Sequence, residues 1–188
     1  NEASDEVCNN TLSNVTGSGG RPIKFYNSTV NLTSADGPYS ELILCNADNS
    51  TVDGVTIMGS NGLNNNGLIL LRTDDARISN VTSSSNYNGI ELIYSSFNSL
   101  TNNTTNSNGI PIGGFGIHLL QSTNNTLSNN TANSNDYAGI MLQSNSTDNI
   151  LNVNTTSSVP AYVQNDGLEF FESNNNTVNG HLSTGNIE

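Results

Sequence analysis

Six segments of the chain carry the same apolar spacing, and that spacing leaves few folds open. With origins at Glu41, Gly67, Gly89, Gly116, Gly139 and Gly167, the next position holds Leu42, Leu68, Ile90, Ile117, Ile140 and Leu168. Three after the origin stand Leu44, Leu70, Leu92, Leu119, Leu142 and Phe170. Eleven after it stand Val52, Ile78, Leu100, Leu127, Ile150 and Val178. Every one of these positions is apolar in a chain whose hydrophobic fraction is only 33%. Chance does not produce that, and a period of 22 to 28 residues means a stack of repeated units.

Alternation at one and three marks a strand with those side chains turned inward. The position between them, holding Ile43, Ile69, Glu91, His118, Met141 and Glu169, is expected to face solvent. Thirteen after the origin come Gly54, Asn80, Asn102, Asn129, Asn152 and Gly180, residues that tolerate a left-handed corner. Nine after it, Ser50, Ala76, Asn98, Asn125, Asp148 and Asn176 form a polar column able to stack as a ladder. One such coil cannot bury its own apolar face, whereas stacked coils bury it jointly. The expected fold is all-β, a right-handed parallel β-helix of six regular coils over residues 41–188. Residues 1–40 are expected to form a strap and an irregular first coil. Longer coils alternate with shorter ones, the extra residues falling at 58–66, 106–115 and 157–166. Those insertions are expected to form a ridge on one side.

Cys8 and Cys45 suit a disulfide in an extracellular chain, and closing that loop is worth about 4 kcal/mol. The bridge would pin the strap to the stack; the alternatives are two unrelated thiols or links between subunits. Asn supplies 36 of 188 residues, and thirteen Asn-x-Ser/Thr sequons occur, among them Asn14, Asn27, Asn49, Asn80 and Asn154. A minority of them is expected to carry glycans. Four Lys and Arg against sixteen Asp and Glu give a net charge of −12, which repels nucleic acid and anionic membranes. No apolar run reaches the length of a membrane span.

The stretch Gly116–Thr131, GIHLLQSTNNTLSNNT, resembles the parallel β-helix repeat of NosD-like proteins and of carbohydrate-binding and sugar-hydrolase β-helix proteins. The resemblance covers residues 41–188 and specifies fold far better than function, because its residues are core and corner positions. Chains of this composition look like archaeal cell-surface proteins, methanogen ones especially, and a small acidic array is similar to a sheath or surface-layer subunit. A copper role like that linked to NosD has no support, since Met58 and Met141 stand alone.

Enzymes with this fold would need carboxylates or bases on an outer sheet face. Glu91 and His118 fall on adjacent coils, but Met141 separates His118 from Glu169, and Arg21, Lys24, Arg72 and Arg77 are the only cations. A solvated face is the expectation, and the chain is expected not to be an enzyme. Asp74 and Asp75 would favour calcium if they bound a metal, yet pairing with Arg72 and Arg77 is expected instead, with no cofactor. His118 and His181 are too isolated for zinc.

The functional expectation is a secreted, cell-surface structural protein whose partner is itself, with cell-surface glycans second. Its stacking ends would be Ile23, Phe25, Val30 and Leu32 at one side and Phe170, Phe171 and Val178 at the other. Lateral contacts would come from Ile110, Ile112, Phe115, Val159, Tyr162 and Val163. A carbohydrate-binding or adhesive module, using Tyr94, Phe97 or Phe115, is the alternative, and a glycan-cleaving enzyme a third.

Overall fold

A computed structural model describes residues 5–59, 65–109, 113–158 and 166–185. Among them every regular strand pairs in parallel with the equivalent strand one coil away. The architecture is a parallel β-helix. Its longest sheet has seven strands, beginning with Ile23–Tyr26, Glu41–Cys45, Leu68–Leu71 and Ile90–Ile93 and continuing through Phe115–Leu120, Ala138–Gln143 and Asp166–Phe171. A second seven-stranded sheet carries the strands around Leu32, Val52, Ile78, Leu100, Leu127, Leu151 and Val178. Short pairs and triplets close the third side.

The first two apolar columns point inward as their alternation requires. Leu42, Leu68, Ile90, Ile117 and Ile140 are fully buried, as are Leu44, Leu70, Leu92, Leu119 and Leu142. In the third column the register slips once. Ile150 is exposed and Leu151 takes the inward place, paired with Leu127. The cause is one inserted residue at the preceding corner, where Ser144 and Asn145 both have positive φ. The slip carries the later columns of that coil with it. The left-handed corner falls on Val153 (φ 52°) and not Asn152, and the ladder residue is Asn149 and not Asp148. A β-branched residue at positive φ is strained, and Val153 is also exposed. A second left-handed corner, one residue past the long-sheet strands, runs through Asn46, Arg72, Tyr94, Gln121, Ser144 and Glu172.

Much of the interior is amide. Asn98, Asn125, Asn149 and Asn176 form one ladder, Asn103, Asn130 and Asn154 a second, and Asn86, Asn108 and Asn135 a third. Each interior rung gives its side-chain N–H to the next Asn oxygen and to a main-chain carbonyl, so a buried polar group is fully matched. The third ladder explains the glycine origins: a Cβ on Gly116 would lie 2.6 Å from Asn135 Nδ2 and 2.5 Å from the Gly139 oxygen. Two sequons are consumed by the ladders. Asn103 and Asn154 are buried, which corrects the expectation that Asn154 is open to glycosylation, whereas Asn14, Asn27, Asn49 and Asn80 are exposed.

The N-terminal segment turns through Asp5–Cys8 and is joined to the stack by the Cys8–Cys45 disulfide. Arg72 pairs with Asp5 at 2.7 Å and not with the Asp74–Asp75 doublet; Asp74 instead accepts the main-chain N–H of Ser96. Trypsin digestion without reduction is expected to release the Cys8–Cys45 linked peptide from monomeric protein, as read by mass spectrometry. Recovering it only from covalent dimers would contradict the intrachain bridge.

The first coil is more regular than its sequence suggests, but on a different phase. Ile23 and Phe25 align with Glu41 and Ile43, so Lys24 and Tyr26 hold the register of the inward Leu42 and Leu44. Leu32 is buried opposite Val52, and Val30 packs against the core. In the last coil Phe170, Phe171 and Val178 are exposed, with no described coil beyond them. Of the lateral contact residues only Phe115 is described; Ile110, Ile112, Val159, Tyr162 and Val163 lie outside the described residues.

Candidate functional site

The outward face of the long sheet is not the solvated surface its sequence suggests. Glu91, His118 and Met141 are only 9%, 5% and 4% exposed. In-register pairing sets Glu91 directly beside His118, and His118 beside Met141, on three adjacent strands. Glu91 Oε1 lies 3.0 Å from His118 Nδ1. On the other side Gln143, two positions further along the next strand, places Oε1 3.0 Å from Nε2. Phe115 stacks on the imidazole at 4.5 Å between centroids, and Tyr137 meets Phe115 edge-on at 5.4 Å. Phe115 thus covers the imidazole, and Tyr137, just ahead of the Ala138–Gln143 strand, packs against Phe115.

The chemistry follows from the atoms each nitrogen faces. Glu91 Oε1 accepts a hydrogen bond from Nδ1–H and fixes the ring orientation, leaving Nε2 as the nitrogen for proton transfer. The Gln143 amide sits on that nitrogen; its oxygen accepts from Nε2–H, and a half-turn would offer its NH2 to a bare Nε2. A substrate reaching Nε2 therefore displaces an amide and not bulk water. Beyond Met141 the same column holds Glu169, whose Oε2 is buried without a hydrogen-bond partner among the described residues. Burial, and secondarily Asp166, raises that carboxyl above its ordinary range. Glu91 and Glu169 are three strands apart, about 14 Å at the spacing of a sheet, too far to share one glycosidic bond.

Tyr94 and Phe97, 40% and 60% exposed, stand at left-handed corners of the coil that carries Glu91. Of the aromatics expected for carbohydrate contact, Tyr94 directly follows the strand of Glu91, Phe97 lies three residues further on before the second sheet, and Phe115 opens the strand of His118. Gln143 and Tyr137 were missed by sequence reasoning. Gln143 breaks a column otherwise filled by Leu71, Ile93, Leu120 and Phe171, and that lone polar substitution is the signal that marks it. Among the described residues no cluster of His, Cys, Asp and Glu could hold a metal, and no helix is long and apolar enough to cross a membrane.

Fold and face together define a parallel β-helix with a buried acid–histidine pair on its long sheet. The chain belongs to the family described as "Right handed beta helix region", whose pattern matches residues 41–187. No curated protein matches it in sequence. Among solved structures it is similar to the A-module of the Azotobacter vinelandii mannuronan C-5 epimerase AlgE6, with a TM-score of 0.55 at 14% identity. That match covers 86% of this chain and 50% of the other. It is also similar to a mutant of the periplasmic alginate epimerase AlgG, with a TM-score of 0.54 at 16% identity, covering 89% of this chain and 46% of that one. At such identities the likeness is one of fold, and the chain spans about half the length of these proteins.

These findings correct the expectation that the chain is not an enzyme. The solved proteins whose fold it shares are polysaccharide epimerases, and the column expected to be a solvated face is a buried, hydrogen-bonded group of Glu91, His118 and Gln143. The disulfide agrees with a non-cytosolic protein.

Proposed function

We propose that the chain is a secreted β-helix module that binds a uronate-containing polysaccharide across the outer face of its long sheet and moves a proton on it. His118 is the proton-transfer residue and Glu91 its positioning residue. One observation carries this reading: Nδ1 of His118 is held by buried Glu91 while Nε2 meets the side-chain amide of Gln143. Exchange of the proton beside a sugar carboxylate moves it to a bare Nε2, leaves the electron pair delocalised into the adjoining carboxyl group, and returns a solvent-exchanged proton from the same nitrogen, whereas hydrolysis needs two carboxylates at roughly 5 to 9.5 Å. Among the described residues of this column only the single-base arrangement is met. That the fold is shared with epimerases of mannuronan and alginate supports the same direction.

The test is solvent exchange. Poly-mannuronate and poly-guluronate incubated with the protein in deuterium oxide are expected to gain deuterium at C5, read by NMR, with ultraviolet absorbance reporting any elimination. His118→Ala is expected to lower the rate by roughly 10²- to 10⁴-fold, and Glu91→Gln by less, both keeping cooperative melting. No exchange on either polymer, or an unchanged rate in His118→Ala, would reject the proposal.

End-to-end assembly into a sheath, filament or surface layer is a second reading, and one feature favours it: Phe170, Phe171, Val178 and Leu182 are exposed together on the last described coil. Lys24 opposes it from the other end, because direct stacking would place its ammonium against Leu168 in the inward column.

A further inference from the structure

An acidic polysaccharide approaching a chain of net charge −12 needs a local cation, and the four available are unequally engaged. Arg72 is committed to Asp5. Arg21 makes no ion pair among the described residues. Its Nε and Nη2 donate to the main-chain oxygen of Met58 at 3.1 and 2.6 Å, and Nη2 also reaches the oxygen of Gly59 at 3.3 Å. Carbonyl dipoles hold the guanidinium in place without cancelling its charge. The two hydrogens of Nη1 are what this clamp leaves over. They lie beside Gly19, where an added Cβ would come within 2.5 Å of Nη1. A residue without a side chain, at φ 63°, keeps that edge of the guanidinium open.

Arg21 lines a cavity of about 290 Å³ together with Ser34, Gly37, Pro38, Thr56 and Met58. Pro38 and Met58 give it an apolar wall, and Met58 is 44% exposed. Ser34 and Thr56 add two hydroxyls. Fixed cation, apolar wall and hydroxyls are what a pyranose with a carboxylate presents counterparts to: its carboxyl, its C–H face and its ring hydroxyls. Lys24 lines a second hollow at the same end of the stack, with Leu12, Val15 and Ile23.

We propose that the Arg21 cavity is a binding subsite for one uronate residue of an acidic polysaccharide, separate from the His118 face and built by the N-terminal strap, the 34–38 turn and the Thr56–Met58 strand. The inference rests on the reading of the ligand as a uronate polymer, and the two are separable by experiment.

The probe is trimannuronate, titrated into the disulfide-bonded protein and followed by amide NMR shifts and calorimetry. Mannotriose and triglutamate serve as the neutral and the acidic-peptide controls. Shifts are expected at Ser34, Gly37 and Thr56, with affinity falling as salt rises. Arg21→Met is expected to weaken binding at least tenfold and Arg21→Lys by less. Since Arg21 also holds the Met58 and Gly59 carbonyls, Ser34→Tyr provides an independent variant: it fills the cavity from an exposed position, leaves the clamp intact and is expected to weaken binding equally. His118→Ala is expected to retain cavity binding while losing exchange, so failure of exchange alone removes the catalytic reading and leaves the subsite standing. Equal binding of mannotriose, wild-type affinity in both Arg21→Met and Ser34→Tyr, or shifts confined to other parts of the molecule would overturn the subsite. Equally tight binding of triglutamate would replace the sugar with an acidic peptide and overturn it too.

Discussion

Ile117→Asp is expected to yield no folded protein. Ile117 is fully buried, in register between Ile90 on one neighbouring strand and Ile140 on the other. Its side chain points into the core from the middle of the seven-stranded sheet, with further coils stacked on both sides. Losing the isoleucine contributes a few kcal/mol from transfer and cavity alone. An unpaired carboxyl there adds a desolvation penalty of at least several kcal/mol more, whether it ionises or is forced to stay neutral. Together these match the roughly 5 to 15 kcal/mol that holds a domain folded. The measurement is solubility and a thermal melt. Ile150→Asp supplies the contrast: Ile150 is 42% exposed, so its change is expected to fall within about 0.5 kcal/mol of wild type. Leu151→Asp should behave like Ile117→Asp. A cooperative melt for Ile117→Asp, or collapse of Ile150→Asp with Leu151→Asp tolerated, would show the register to be wrong.

The Ile150 contrast also locates what an apolar repeat conveys and what it does not. Both residues of the Ile150-Leu151 pair are apolar, so either satisfies a column of hydrophobic positions. Only the extra corner residue at Asn145 decides between them, and a corner in an Asn- and Ser-rich chain carries no hydrophobic mark. The parallel β-helix itself was legible because burial demands the same spacing in every coil. The first coil was misphased for the complementary reason: at the end of a stack the inward register can hold Lys24, since the residue stays exposed there.

The site was half legible. Alternation placed Glu91 and His118 side by side on adjacent strands, and that pairing is present. Their burial was not legible, because a polar residue in an outward column reads as solvated unless its cover is known. The cover is Phe115, which falls in the last position of the long insertion by sequence but opens the strand of His118 in the structure and stacks on its imidazole from there. Arg21 was counted as one of four cations, but its clamp uses main-chain oxygens, which leave no trace in sequence. The interior ladders were partly visible. One column of asparagines stood out, while those through Asn103 and Asn108 were indistinguishable from corner asparagines by residue type.

Asn125→Ala is expected to destabilise the protein by on the order of 5 kcal/mol. Asn125 is fully buried and occupies the middle of the longest ladder. Its Oδ1 accepts the main-chain N–H of Asn98 at 2.8 Å and the Asn98 side-chain N–H at 3.1 Å. Its Nδ2 donates to the Ser95 oxygen at 3.0 Å and to Asn149 Oδ1 at 3.1 Å. Truncation leaves the two Asn98 donors and the Ser95 oxygen facing a small void, while Asn149 Oδ1 keeps only the main-chain N–H of residue 125. Each unmatched buried group costs about 1 to 3 kcal/mol, whereas a matched hydrogen bond contributes only about 1. The loss should therefore exceed that of any single surface contact. It should also spread, because Asn98 and Asn149 lose the partners that orient them and neighbouring rungs strengthen one another. Asn124→Ala, one residue earlier but at the exposed left-handed corner, is expected to cost well under half as much. Denaturant unfolding of the two variants measures the difference. Double substitution of Asn98 and Asn125 by Ala is expected to be less than additive, since the second change removes a group already unmatched. Asn125→Ala no worse than Asn124→Ala would mean that water fills the gap and that the amide columns contribute little to holding the coils in register.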